Sequence, residues 1–180
     1  SEMISAAKER YPGQEWILAS VETWEARQPY DIVFSNAAFQ WMPNHDQLLP
    51  RLLSQIVVGG ILAFQIPAHV NSPLHQLILQ VANEPDWAHQ THEAKKALTI
   101  ESPSFYYDLL EGSVSKLDIF EIEYCHVMEN AAAIIQWVSG TGLRPFLEAL
   151  ETEDQKQRFI DLLNTRAAVA YPRQKNGRVL

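Results

Sequence analysis

The sequence predicts an α/β fold with at least partly parallel strand pairing, and three observations carry that expectation. Residues 60–66, Gly-Ile-Leu-Ala-Phe-Gln-Ile, form an apolar run bounded by glycine and Pro67, the pattern of a strand covered on both faces. A second run at 31–36, Asp-Ile-Val-Phe-Ser-Asn, is apolar inside and polar at its end. Around these runs lie segments whose apolar residues recur every three or four positions, so that helix and strand alternate through the first third.

Residues 1–10 place Met3, Ile4 and Ala7 at helical spacing and stop at Tyr11-Pro12-Gly13. Residues 15–19 predict a strand, and residues 21–30 leave room only for a loop or a single turn before the strand at 31–36. Leu48, Leu49, Leu52, Leu53 and Ile56 mark one face of a helix, with Asp46 as its N-cap, Pro50 in its first turn and Val57-Val58-Gly59-Gly60 as its end. After the strand at 60–66, Ser72-Pro73 is a cap followed by proline at the first helical position, and Leu74, Leu77, Ile78 and Val81 supply the buried stripe.

Residues 83–101 have no clean period and predict a mobile insertion. Ser102-Pro103 repeats the cap and opens a short helix through Phe105, Leu109 and Leu110 to Gly112. Residues 117–127 alternate over part of their length and predict a fourth strand. Asn130 caps a helix over 131–139 that stops at Gly140, and Thr152 with Gln155 forms a capping box for a helix running to about Tyr171. Residues 177–180 read as the beginning of a strand. The expected organisation is one domain: an α/β core at about 1–68 and 115–128, a helical insertion at about 69–114, and C-terminal helices at about 130–171.

With 14 Lys and Arg against 22 Asp and Glu, the chain carries a net charge of -8, and its only basic cluster is the short stretch at 173–178. Nucleic acid is excluded as an expected partner. The longest apolar stretch, 56–66, falls short of the ~20 residues a membrane span needs. No secretory signal is visible and Cys125 stands alone, which together predict a cytoplasmic protein.

Six histidines invite a metal site, since His89 and His92 are three apart with His69 and His75 nearby, but the first pair falls in the least periodic segment. Solvated loop histidines are the expectation, with no metal. Cys125 on a strand reads as a small apolar residue rather than a nucleophile. The segment 31–45 stands out. A strand ending in Ser35-Asn36 that runs into a loop with Gln40 and Trp41 puts polar groups at the carboxyl end of a sheet, where open α/β sheets bind ligands. The plainer alternative is that Asn36 and Gln40 satisfy loop backbone and Trp41 covers the core.

Residues 31–45, Asp-Ile-Val-Phe-Ser-Asn-Ala-Ala-Phe-Gln-Trp-Met-Pro-Asn-His, followed by 59–67, closely resemble the trans-aconitate 2-methyltransferase family of class I S-adenosylmethionine-dependent methyltransferases. The resemblance continues through Phe105-Tyr106-Tyr107-Asp108, through Trp137-Val138 and Thr141-Gly142-Leu143-Arg144-Pro145, and through Tyr171-Pro172 with Asn176-Gly177. It implies an incomplete Rossmann-like fold, because the family's opening strand, Gly-rich loop and acid for the cofactor ribose have no counterpart, and the closing strand is cut short at Leu180. The chain therefore reads as truncated at its start and near its end.

The resemblance further implies transfer of a methyl group from S-adenosylmethionine to a carboxylate of trans-aconitate or a similar small polycarboxylic acid, with no catalytic dyad. It places Asn36 near the sulfonium end of the cofactor and Ser20 and Val21 near the adenine. Gln40, Trp41, Tyr107 and Arg144 fall on the substrate side. Arg144 has a charge reason, since its planar fork suits a carboxylate, and a helix-cap salt bridge is its alternative. The Gly-rich loop and the ribose acid are missing and Ser20 stands where the family offers an acid to the adenine, so these 180 residues are expected to bind the cofactor weakly or not at all and to be inactive by themselves. The alternative function is a non-catalytic remnant that folds without cofactor. Missing strands expose edges and predict a homo-oligomer.

Overall fold

A computed structural model describes residues 2–180, and its sheet is smaller than the sequence predicts. Two parallel strands, β1 (Tyr30–Asn36) and β2 (Ile56–Gln65), make up the sheet. They are joined by α2 (His45–Leu53), which packs against β2, the arrangement of a β-α-β crossover unit. Ahead of them, α1 (Glu2–Arg10) has no buried residue. The remaining helices are α3 (Pro73–Ala82), α4 (Pro103–Leu110), α5 (Ala131–Ser139), α6 (Arg144–Ala149) and α7 (Glu153–Ala170).

The helix ends follow their sequence signals closely. Ser72 accepts from the backbone of His75, Ser102 from Phe105 and Asn130 from Ala133, and Thr152 with Gln155 closes the expected capping box. The exception is α2, whose N-cap is Asn44 in a left-handed conformation (φ 57°) with no side-chain cap. Asp46 instead lies inside the first turn, where its charge still favours the helix N-terminus.

Residues 57–60 are a correction. They belong to β2 rather than to the end of a helix, because Tyr30 pairs with Ile56 and Ile32 already with Ile61. Three extra residues are looped out of the ladder there, Gly59 takes φ 83°, and Gly60 lies so close to the Asp31 carbonyl that a Cβ would sit 2.7 Å from it.

Residues 15–19 and 117–127 lie in no ladder, so neither predicted strand forms. A strand is defined by its partner's backbone, and neither segment has one beside it. Cys125 is accordingly exposed rather than buried. Near the end of the chain Val179 is buried and exchanges two backbone hydrogen bonds with Met128, an isolated antiparallel bridge.

The core has two parts. One, under the sheet, joins Phe39, Leu48, Leu49 and Leu52 to Tyr106 and Leu110 of α4, with Leu62 and Phe64 packed against them. The larger unites α3, α5, α6 and α7 through Val81, Ile135, Phe146, Phe159 and Leu163. Trp87 and Thr91 are buried in or beside it. Residues 83–101 are therefore a packed series of turns and not a loose insertion, a second correction. Trp87 donates its Nε1 hydrogen to the Val81 carbonyl, and Thr91 donates its hydroxyl to Ala82, so irregular backbone is held by side chains where no period is visible.

Candidate functional site

The carboxyl end of β1 is where the chain does something unusual. Ser35 faces inward and is buried, Asn36 is exposed at the strand end, and Ala37 turns out of the sheet with φ 51° while its N–H donates to the Gln65 carbonyl at 2.9 Å. A left-handed conformation costs a residue bearing a Cβ roughly 1–2 kcal/mol, so tertiary contacts hold it there. The next three residues, Phe39–Trp41, form a single 3₁₀ turn.

Several of those contacts come from one histidine. His45, 2% exposed, donates Nε2–H to the Phe39 carbonyl at 2.9 Å, because a carbonyl only accepts, and in the neutral ring this leaves Nδ1 as the acceptor for the Tyr106 hydroxyl at 2.8 Å. The Tyr106 oxygen in turn accepts the Glu101 N–H at 3.3 Å, and the Thr99 N–H donates to the Gln40 carbonyl at 2.7 Å. Burial pushes the Tyr106 phenol above its ordinary range, which keeps it protonated and donating.

The structure brings Asn36, Gln40 and Trp41 together on this strand end and turn. Gln40 is 5% exposed. Its Nε2 donates to the Ala37 carbonyl at 2.8 Å, while its Oε1 is buried without a partner, as is Ser35 Oγ. Trp41, 48% exposed, lies at the surface. Tyr107 follows Tyr106 on α4 and is exposed, so that helix plugs the site with one tyrosine and offers the next to solvent.

Arg144 is not part of this cluster. It opens α6, in the helical half of the molecule, and its Nε donates to Glu148 at 2.7 Å with both side chains mostly exposed. Ser20 and Val21 lie elsewhere again. The Ser20 carbonyl accepts from Trp24, Arg51 donates to the carbonyls of Val21 and Trp24, and Gln55 binds Trp24 and Ala26. Those contacts tie the turn to the end of the sheet at which β1 starts. The six steps of β1 put it about 20 Å from Asn36. With those carbonyls already taken, the residues present do not assemble one site that fits a whole S-adenosylmethionine molecule.

Elsewhere, His69 and His75 flank the start of α3 with rings 4.9 Å apart. Burial lowers both pKa values, and the charge of His75 lowers that of His69 further. His75 also lines a cleft of about 120 Å³ with Lys95, Pro145 and Phe146. His92 pairs with Glu93 at the surface, and among the described residues no three His, Cys, Asp or Glu side chains are grouped to hold a metal. The sequence reading missed His45, Thr99 and Tyr106. Tyr106 had a signal, because it shares a helix face with Leu110 behind the Ser102 cap; His45 had none, since the Tyr106 hydroxyl it meets lies 61 positions away.

The chain is 41% identical over 181 aligned residues to the trans-aconitate 2-methyltransferase of Rhodopseudomonas palustris (strain BisB5), an alignment spanning all of this chain and 70% of that protein. It is 37% identical over 180 residues to the protein of the same name from Azoarcus sp. (strain BH72), again across all of this chain and 70% of the relative. The enzyme of Rhizobium rhizogenes (strain K84 / ATCC BAA-868) is 38% identical over 99% of this chain. No protein-family model matches. At this identity, over this length and in unbroken order, the chain belongs to the trans-aconitate 2-methyltransferase family.

Proposed function

We propose that this protein transfers a methyl group from S-adenosylmethionine to a carboxylate of trans-aconitate or of a similar small polycarboxylic acid. The observation that carries the reading is the 41% identity to a trans-aconitate 2-methyltransferase along the whole chain. The strand end at Asn36 supports it, since polar groups at the carboxyl end of a parallel strand are where α/β sheets take ligands. The two strands are then part of a Rossmann-like sheet. By the family resemblance Asn36 would face the sulfonium end of the cofactor and Gln40, Trp41 and Tyr107 would border the acceptor, whereas Arg144, paired with Glu148 on α6, would reach an acceptor carboxylate only by giving up that pair. Ser20 and Val21 reach the adenine only if their turn leaves the amino end of the sheet.

The chemistry asks little of side chains as acids or bases. An acceptor carboxylate is ionised at neutral pH, so no general base is required, and the protein's task is to orient it and exclude water. Transfer of labelled methyl to trans-aconitate, with titration by S-adenosylhomocysteine, tests the reading: turnover with micromolar binding supports it and overturns the expectation of weak cofactor binding, whereas binding of neither cofactor product nor acceptor overturns the reading.

A second reading, a chain that folds without holding cofactor, is favoured by one observation: Ser20 and Val21 are fixed at the end of the sheet opposite Asn36. The same titration decides between the two. Both readings include self-association with a second copy, because β1 and β2 each leave an edge unpaired and Ile32, Phe34 and Ile61 are exposed. Sedimentation equilibrium at low micromolar concentration is expected to give a dimer or larger species; a monomer alone rejects this.

A further inference from the structure

We propose that Tyr106 and His45 are positioning residues that fix the turn at residues 37–42. This rests on the reading that Asn36, Gln40 and Trp41 form the ligand end of the sheet. The argument is one of hydrogen-bond direction. The Glu101 N–H donates to Tyr106, Tyr106 donates to His45 Nδ1, and His45 Nε2–H donates to the Phe39 carbonyl, which also accepts the Met42 N–H at 2.8 Å. With a neutral imidazole each group in the chain has a single role open to it, because the Phe39 carbonyl takes the one ring N–H and leaves Nδ1 to accept from Tyr106.

The chain of bonds runs from the segment before α4, through the core, to the turn that carries the exposed Trp41 and the buried Gln40. A second tie, from Thr99 N–H to the Gln40 carbonyl, comes from the same segment. The stretch 99–106 and His45 of α2 together determine the posture of a turn that also contains Ala37 at positive φ. Gln40 Oε1 is a buried acceptor to which no protein group donates, and its place depends on the shape of the turn. Aromatic packing of Tyr106 on Phe64 at 5.6 Å keeps α4 in place without any hydroxyl, which separates packing from positioning.

The test compares the whole chain with Tyr106→Phe, which keeps the ring and removes the hydroxyl, and with His45→Gln. In ¹⁵N NMR the unsubstituted protein is expected to show His45 protonated at Nε2 and bare at Nδ1. In Tyr106→Phe, amide exchange at Met42 and Thr99 is expected to speed up at least tenfold, while the amides of Phe159 and Leu163 stay within twofold. His45→Gln, whose amide N–H can still reach Phe39, is expected to speed exchange less than His45→Ala. Unchanged exchange at Met42 and Thr99, or equal acceleration in α7, overturns the proposal. S-adenosylhomocysteine titration run in parallel separates this from the functional reading, since absence of binding to the unsubstituted chain overturns that reading alone and leaves the exchange result to decide this one.

Discussion

The indole of Trp87 lies 5.3 Å from the ring of Phe159 and donates its N–H to the Val81 carbonyl at 2.5 Å, so one side chain joins the turns after α3 to the longest helix. Arg158 adds its guanidinium over the same indole and an ion pair to Asp86. This is why residues 83–101, aperiodic as a string, are an ordered part of the larger core.

Trp87→Ala is accordingly expected to destabilise the protein by about 3–5 kcal/mol, the range for deleting a buried large aromatic. Urea unfolding followed by far-UV circular dichroism checks this. A change below about 1 kcal/mol would mean that the segment packs loosely after all.

The looped-out stretch of β2 makes two neighbouring glycines differ. At Gly60 a Cβ would meet Ile56 Cγ2 at 2.5 Å and the Asp31 carbonyl at 2.7 Å, whereas at Gly59 there is open space and only the positive φ to oppose a side chain. Gly60→Ala is expected to cost about 1–3 kcal/mol through overpacking. Gly59→Ala should cost roughly 1 kcal/mol through backbone strain. Reversal of that order in denaturant midpoints would contradict the register.

The His69–His75 pair predicts a pH dependence. Both pKa values are lowered in the folded state, by burial first and for His69 also by His75. The unfolded chain therefore takes up protons more readily, and the pair's contribution, complete above the ordinary histidine value of about 6.5, is lost as pH falls from there through the lowered folded values. The denaturation midpoint should drop between pH 7.5 and 5.5, and the drop should shrink in His75→Gln. An identical drop in the variant would assign it to other groups.

Trp41 and Arg144 are expected to respond differently in a methyl-transfer assay. On the proposed assignment of Trp41 to the acceptor side, Trp41→Ala should lower kcat and kcat/KM together, whereas Arg144→Ala should mainly raise KM for the polycarboxylate. Stability should barely change for Arg144→Ala, since an exposed i, i+4 pair contributes about 0.3–0.5 kcal/mol. Unchanged KM would remove Arg144 from the acceptor site.

What the sequence determined by itself is local. The caps at Ser72, Ser102, Asn130 and Thr152 could be read directly because a side-chain oxygen and an N–H three residues on are all that such a cap requires. The apolar run of β2 and the polar strand end at Ser35-Asn36 were legible as a strand and a strand end, but the cover expected on both faces of β2 does not form, since none of its residues is buried and Ile61 is exposed. Tertiary structure decided whatever needs a partner. Residues 15–19 and 117–127 have the composition of strands but find no backbone beside them to pair with. Gly59 and Gly60 look like a helix stop until the pairing of Ile32 with Ile61 shows them looped out of a strand. The fixed turn at 37–42 depends on His45 and Tyr106, 61 positions apart, meeting across a core. No periodicity records such a meeting, since hydrogen-bond direction between distant residues exists only once packing has brought them within 3 Å of one another.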